Sequence, residues 1–205
     1  MTITSATAND VRDIVEIHRE AFPDFFLTTL GESFLRRFYS AVVRDPSALS
    51  FVARADGSVA GFVVGTVEPA NFFRKLLLKE GAAFCFDALG AFARRPWFVG
   101  RRLLRGVTYR GEAPALRTDA ALVSSIAVRP LASGKGLAGA LLNAFCDAAV
   151  QRGVSTVYLL TDRDYNASVN RFYLKAGFTL DTEITRSGKR PMNRYIRELQ
   201  RNGQK

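Results

Sequence analysis

The chain has 205 residues, 48% of them hydrophobic, which suits the core of one domain over residues 1–205. No stretch holds about 18 uninterrupted apolar residues, which excludes an ordinary spanning helix, and the opening "MTITSATANDVRDIV" lacks the basic and apolar regions of a secretory signal. The two cysteines, Cys85 and Cys146, lie in apolar stretches without metal-ligand spacing, so free thiols, no metal and a cytoplasmic location are expected; the net charge of +10 then asks for a partner.

In chain order, "TITSA" predicts a short strand, and Asn9 or Asp10 caps a helix carrying Val11, Ile14, Val15, His18 and Phe22 at helical spacing. Leu30, Phe34, Leu35, Phe38 and Val42 predict a second helix. "ALSFVARAD" and "SVAGFVVGTVE" flank Asp56-Gly57, a dipeptide that tolerates the positive φ of a tight hairpin turn. The second of these strands is apolar on both faces and is therefore central.

Residues 70–117 break the pattern. They hold ten Lys or Arg against three Asp or Glu and eight aromatics, so most of the excess charge sits here. Apolar stripes broken by Gly81, Gly90, Pro96 and Gly100 predict two or three short helices. Such an insertion suits a substrate lid that offers arginines to an anionic acceptor, a peripheral membrane contact through Phe and Trp97, a homodimer interface, or a merely solvated basic face. No nucleic-acid motif accompanies the charge, so nucleic acid is not an expected partner.

From Ala121 regularity returns: strand "ALVSSIAV", a glycine turn, a helix over 135–151, strand "STVYLLT", a helix from Ala167 to Lys175 stopped by Gly177, then "FTLDTEIT". Strand, helix and strand at this spacing predict a parallel βαβ unit. The tail "RPMNRYIREL" fits a helix through Met192, Tyr195, Ile196 and Leu199, and equally a hairpin strand after "RSGKR".

The glycine turn carries the chemistry. A strand ending at Val128 that turns through Gly134 and Gly136 into a helix aims backbone N–H groups and the positive helix end at one point, which attracts phosphate. A nucleotide P-loop fails, because Arg129 stands five residues before Gly134 and Gly136 follows Lys135 in place of Ser or Thr. A dinucleotide fingerprint is met in glycine spacing by Gly134, Gly136 and Gly139, but the unit follows an antiparallel pair late in the chain. A turn that only connects strand to helix remains open on this segment alone.

"SIAVRPLASGKGLAGALL" resembles the acyl-CoA pyrophosphate loop of the GNAT acetyltransferase superfamily, Arg/Gln-x-x-Gly-x-Gly/Ala, with SGKGLA over Ser133–Ala138; Ser133 stands where Gln or Arg is usual. "DRDYNASVNRFYLKAGF" resembles the second motif of that family through Asn166, Tyr173 and Gly177-Phe178, about 30 residues on. The resemblance covers roughly residues 1–69 and 118–199. It implies an α/β (α+β) fold with a mixed, mostly antiparallel sheet flanked by helices, and a helical insertion between the third and fourth strands.

It also implies acetyl-CoA as donor and direct transfer of the acetyl group to a primary amine. The backbone of Ile126, Ala127 and Val128 would pair with the pantetheine arm. Ser133, Gly134, Lys135, Gly136, Leu137 and Ala138 would hold the pyrophosphate, and Asn166 would bond the pantetheine or position the acceptor. Tyr173 would protonate the departing thiolate, although a helical Tyr beside Phe172 also suits a core. Where many relatives carry an acidic base this strand has Ser124 and Ser125, which leaves Glu68, Asp119, Asp162 and His18 as candidates; Glu68 is favoured, and His18 reads as a core group on its apolar stripe. The expected acceptor is a small anionic molecule such as a nucleotide-linked amino sugar. A peptide or protein amine is the alternative, and a non-catalytic acyl-CoA-binding module docking on a membrane or partner is a third reading.

Overall fold

The computed structural model describes residues 1–87, 119–185 and 190–200. The chain opens with β1 (Thr2–Ser5), α1 (Val11–Ala21), α2 (Phe26–Thr29) and α3 (Glu32–Arg44), followed by β2 (Ala48–Ala55), β3 (Ser58–Thr66) and α4 (Pro69–Asp87). The second half comprises β4 (Ala120–Val128), α5 (Leu137–Gln151), β5 (Thr156–Asp162), α6 (Ala167–Lys175), β6 (Thr179–Ile184) and β7 (Met192–Glu198). The strands form one open sheet in the order β1-β2-β3-β4-β5-β7-β6. Only β4 and β5 are parallel, joined by the crossover through α5; every other neighbouring pair is antiparallel.

Alternation along the strands divides the core in two. Val52, Phe62, Val64 and Ala127 pack under α1, α3 and α4. Ala53, Val63, Val123, Val157 and Leu159 face the other way, under α5 and Tyr173 of α6. The β2–β3 turn is Asp56-Gly57, both residues at positive φ (50° and 78°) as the hairpin requires. Eight of the nine β3 residues are buried, in line with its continuous apolar run and central place.

One element differs from the sequence pattern, and two that it left open are decided. The first helix begins after Asp10, one of the two expected cap positions, and the turn before it is opened by Thr7, whose N–H and hydroxyl both donate to Asp10 Oδ2 at 2.8 Å. Asp10 also pairs with Arg54 of β2, so this end is pinned to the sheet. Pro69–Asp87 is one helix that runs through Gly81, where a side chain would meet nothing within 4 Å. Its Phe72, Leu76 and Phe84 are buried, and the Phe84 ring lies 4.9 Å from that of Phe34 on α3. The rest of the expected helical insertion, with Trp97, lies outside the described residues, as does the "RSGK" turn over 186–189.

The tail is strand β7, inserted between β5 and β6. Its apolar residues fit a helical period too. The unpaired edge of β5 decides the matter, because a lone central strand would leave its buried N–H and C=O groups without partners. Among the described residues no helix is long and apolar enough to cross a membrane, and no group of three His, Cys, Asp or Glu is placed to hold a metal. Cys146 is a buried free thiol whose pKa burial pushes up to about 11; the Cys85 side chain lies outside the described part.

Candidate active site

The glycine turn leaves β4 through Arg129, whose guanidinium bonds Glu20 (2.6 Å), Glu16 (3.1 Å) and the carbonyl of Val59 (3.2 Å) and so ties the strand end to α1. After the single turn Pro130–Ala132 the chain is exposed from Ser133 to Gly136. Gly134 and Gly136 both stand at left-handed φ, 77° and 78°, and a Cβ on either would meet no atom within 4 Å. The α5 helix starts at Leu137. Among the described residues the N–H groups of Gly134, Lys135 and Gly136 donate to no protein atom, and the first N–H groups of α5 have no helical acceptor. An anion approaching this turn would meet open backbone donors and the positive end of a 15-residue helix.

The turn lies at the mouth of a slot. β4 and β5 pair only from Ala120↔Thr156 to Val123↔Leu159. Beyond that, β4 keeps pairing with β3 up to Val128, while β5 pairs with β7 up to Asp162. The two strands therefore part, with their facing backbone edges unpaired. The register break between Val64 and Gly65 on β3 leaves Ser124 as an extra residue on β4, a bulge where the parting begins. A side chain on Gly65 would come within 2.0 Å of the Leu122 carbonyl oxygen and 2.7 Å of the Phe145 ring, so only glycine lets α5 lie this close to the bulge.

A polar lattice forms the β5 wall. Asn166, which precedes α6, donates to Thr161 Oγ1 (2.8 Å) and the Asp162 carbonyl (3.1 Å). Asn170, one turn on, donates to the carbonyls of Asp162 and Asn166, and its own oxygen accepts from Asn193 (3.2 Å) and from the Tyr195 hydroxyl (3.0 Å). The loop after β5 is thus locked to β7. Tyr173 lies deeper on α6, its ring against Phe172, Phe178 and Tyr195. Its hydroxyl has no hydrogen-bond partner among the described residues, and burial pushes its pKa up to about 12, which keeps it protonated.

The four candidate bases are scattered over the fold. Glu68 is not brought to the slot: it follows β3 at the end where β4 begins, is half exposed, and pairs with Lys75. Asp119 precedes β4 at that same end and accepts from Ser155. Asp162 ends β5 beside the slot, with its Oδ2 3.4 Å from Arg190 and its Oδ1 buried without a partner among the described residues. His18 is fully buried, and its Nδ1 lies 2.7 Å from the hydroxyl of Tyr39 on α3.

Residues 11–178 match the acetyltransferase (GNAT) family. The chain belongs to the GNAT family. It is an N-acetyltransferase, and its donor is acetyl-CoA. The fold of this GNAT chain is shared by ribosomal-protein-alanine N-acetyltransferase from Brucella melitensis, at 14% identity and a TM-score of 0.63 over 97% of this chain and 100% of that one. It is shared by aminoglycoside 6'-acetyltransferase type Ii (13%, 0.61, 97% of each chain). It is also similar to yncA from Salmonella typhimurium with its cofactor acetyl-CoA (18%, 0.60, 100% and 97%). No curated protein matches the sequence.

The open turn and the unpaired strand edges fit a long donor with a pyrophosphate at one end and amide groups along its arm. Four residues around the turn and the slot carry no role in the sequence pattern. Arg129 and Tyr39 had no visible signal, because their partners are over 20 residues away in sequence. Asn170 repeats Asn166 at the i+4 spacing of one helix face, a signal that was present. Ser125 was legible only as the absence of a carboxylate.

Proposed function

We propose that the chain transfers the acetyl group of acetyl-CoA directly to the primary amine of a small anionic acceptor. Acetyl-CoA supplies the acetyl group as a thioester. Ser133 to Ala138 hold the pyrophosphate with backbone donors, and the free β4 edge at Ile126, Ala127 and Val128 pairs with the pantetheine amides. Asn166, its amide donors committed to Thr161 and Asp162, offers its carbonyl oxygen to the same arm. Tyr173 gives its proton to the sulfur as the C–S bond breaks and the C–N bond forms.

The amine must shed a proton, and the reading assigns that proton to Asp162 in place of Glu68. What supports Asp162 is its position at the slot and a buried Oδ1 that lacks the donor such an atom calls for. Glu68 is held by Lys75 away from the slot. The observation that carries the whole reading is the parting of β4 from β5 directly behind the open glycine turn. The anionic acceptor rests on the basic excess of residues 70–117. The free Cys146 suits a single cytoplasmic domain.

The test is thiol release from acetyl-CoA with three amine sets: nucleotide-linked amino sugars, peptides with free N-termini, and uncharged amines. The proposal expects the highest kcat/KM with the anionic set. Preference for peptides would reassign the acceptor to a peptide amine, and preference for the uncharged set would overturn its anionic character.

A further inference from the structure

The parting of β4 and β5 exposes a second polar feature, on the face opposite Tyr173. Ser125 is the first residue past the bulge, paired with Val64, and Val64 belongs to the layer under α1 and α3. Its side chain therefore points to that layer, while its half-buried state leaves it in reach of the slot. There it is a neighbour of the Tyr39 hydroxyl. Tyr39 is fully buried against Phe62, and its hydroxyl is 2.7 Å from His18 Nδ1. Ser125 thus stands at the slot end of a buried Tyr39–His18 pair that runs into the core.

The direction of this pair follows from its inner end. The His18 ring stands edge-on to Phe25 (6.0 Å, 64°) and tilted on Phe22 (5.0 Å, 58°). Its Nε2 is buried with no polar partner among the described residues. Aromatic faces accept an N–H weakly but offer nothing to a lone pair, so the hydrogen belongs on Nε2 and Nδ1 is the acceptor. Tyr39 then donates to Nδ1, and its oxygen is left to accept from Ser125. Each hydroxyl has one hydrogen, so the Ser125 oxygen keeps its lone pairs for the slot.

We propose that the Ser125 hydroxyl donates to Tyr39 and accepts a hydrogen bond from the N–H of the acceptor amine, with Tyr39 and His18 as positioning residues that fix its orientation. This rests on the reading of the slot as the site of acetyl transfer to an amine. Tyr173 and Ser125 then stand on opposite faces of the sheet, so leaving thiolate and attacking nitrogen are served from different sides. Ser125 takes no proton; it holds the nitrogen while the proton leaves to a base.

His18 is the only histidine, so the imidazole nitrogens of the uniformly 15N-labelled full chain report on it alone. At pH 7 the expected spectrum has an unprotonated Nδ1 and a protonated Nε2; a protonated Nδ1 overturns the proposal. In thiol-release assays with the best amine of the panel, Ser125→Ala and Tyr39→Phe should each lower kcat/KM for the amine by about tenfold, the worth of one neutral hydrogen bond. The KM for acetyl-CoA should stay within about twofold, Ser125→Thr should restore the rate, and the double variant should be no worse than either single. An unchanged rate in Ser125→Ala, or multiplicative losses in the double variant, overturns the proposal. Failure of the underlying reading looks different, since wild type would then release no thiol with any amine, which overturns both.

Discussion

Lowering the pH from 7.5 to 5 should destabilise this protein through a single side chain, His18. Burial pushes its pKa from the usual 6.5 down to about 4. As pH falls through 6.5 the unfolded chain takes up a proton that the folded chain refuses until about 4. The stabilisation is therefore complete above 6.5, declines between 6.5 and 4, and levels off below. Across the window the loss is about 3 kcal/mol, and at pH 5 about 2 kcal/mol. With a urea dependence of roughly 2 kcal/mol per molar, the unfolding midpoint at pH 5 should lie about 1 M below that at pH 7.5. Carboxylates with lowered pKa, such as Asp10 and Glu16, begin to contribute only below this range. Urea unfolding followed by circular dichroism at the two pH values is the assay, with His18→Gln as the non-titrating reference. An equal midpoint shift in both proteins, or no shift in wild type, would refute the reasoning.

Gly136→Val forces a branched side chain into the left-handed region; about 1–2 kcal/mol of stability and a measurable part of CoA affinity should go, seen as a melting shift of a few degrees and a weaker Kd by calorimetry. Gly139→Ala, within α5 and with open space around its Cβ, should instead raise the melting temperature. Gly65→Ala drives a Cβ into the Leu122 carbonyl and the Phe145 ring; the cost of several kcal/mol should leave little soluble protein at 37 °C. Asn170→Ala removes the lattice between the β5 loop and β7 and strands buried groups of Asn193 and Tyr195, so a loss of about 2–3 kcal/mol in urea unfolding is expected.

Local signals carried the fold well where one segment held the whole of the information. Asp56-Gly57 specified its hairpin, and the run "VAGFVVG" specified a strand buried on both faces because no polar residue interrupts it. The βαβ unit with its glycine turn followed for the same reason. The tail and α4 were ambiguous because their outcome depends on a neighbour: β7 exists to pair β5, and α4 stays one helix because Phe72, Leu76 and Phe84 find α3. The site shows the same division. The turn residues and Tyr173 belong to contiguous motifs, whereas Glu68 has only its place at a strand end to mark it, and the antiparallel register puts that end away from the slot. Ser125, Tyr39 and His18 come from three elements, and spacing within one element says nothing of their meeting.

The central claim is that Tyr173 protonates the departing thiolate in the slot behind the glycine turn. Its most direct test compares wild type and Tyr173→Phe in acetyl-CoA thiol release with the preferred amine, with the CoA Kd measured in parallel. The account predicts a fall in kcat of about a hundredfold or more with an unchanged Kd. A Tyr173→Phe enzyme that turns over at the wild-type rate would contradict it.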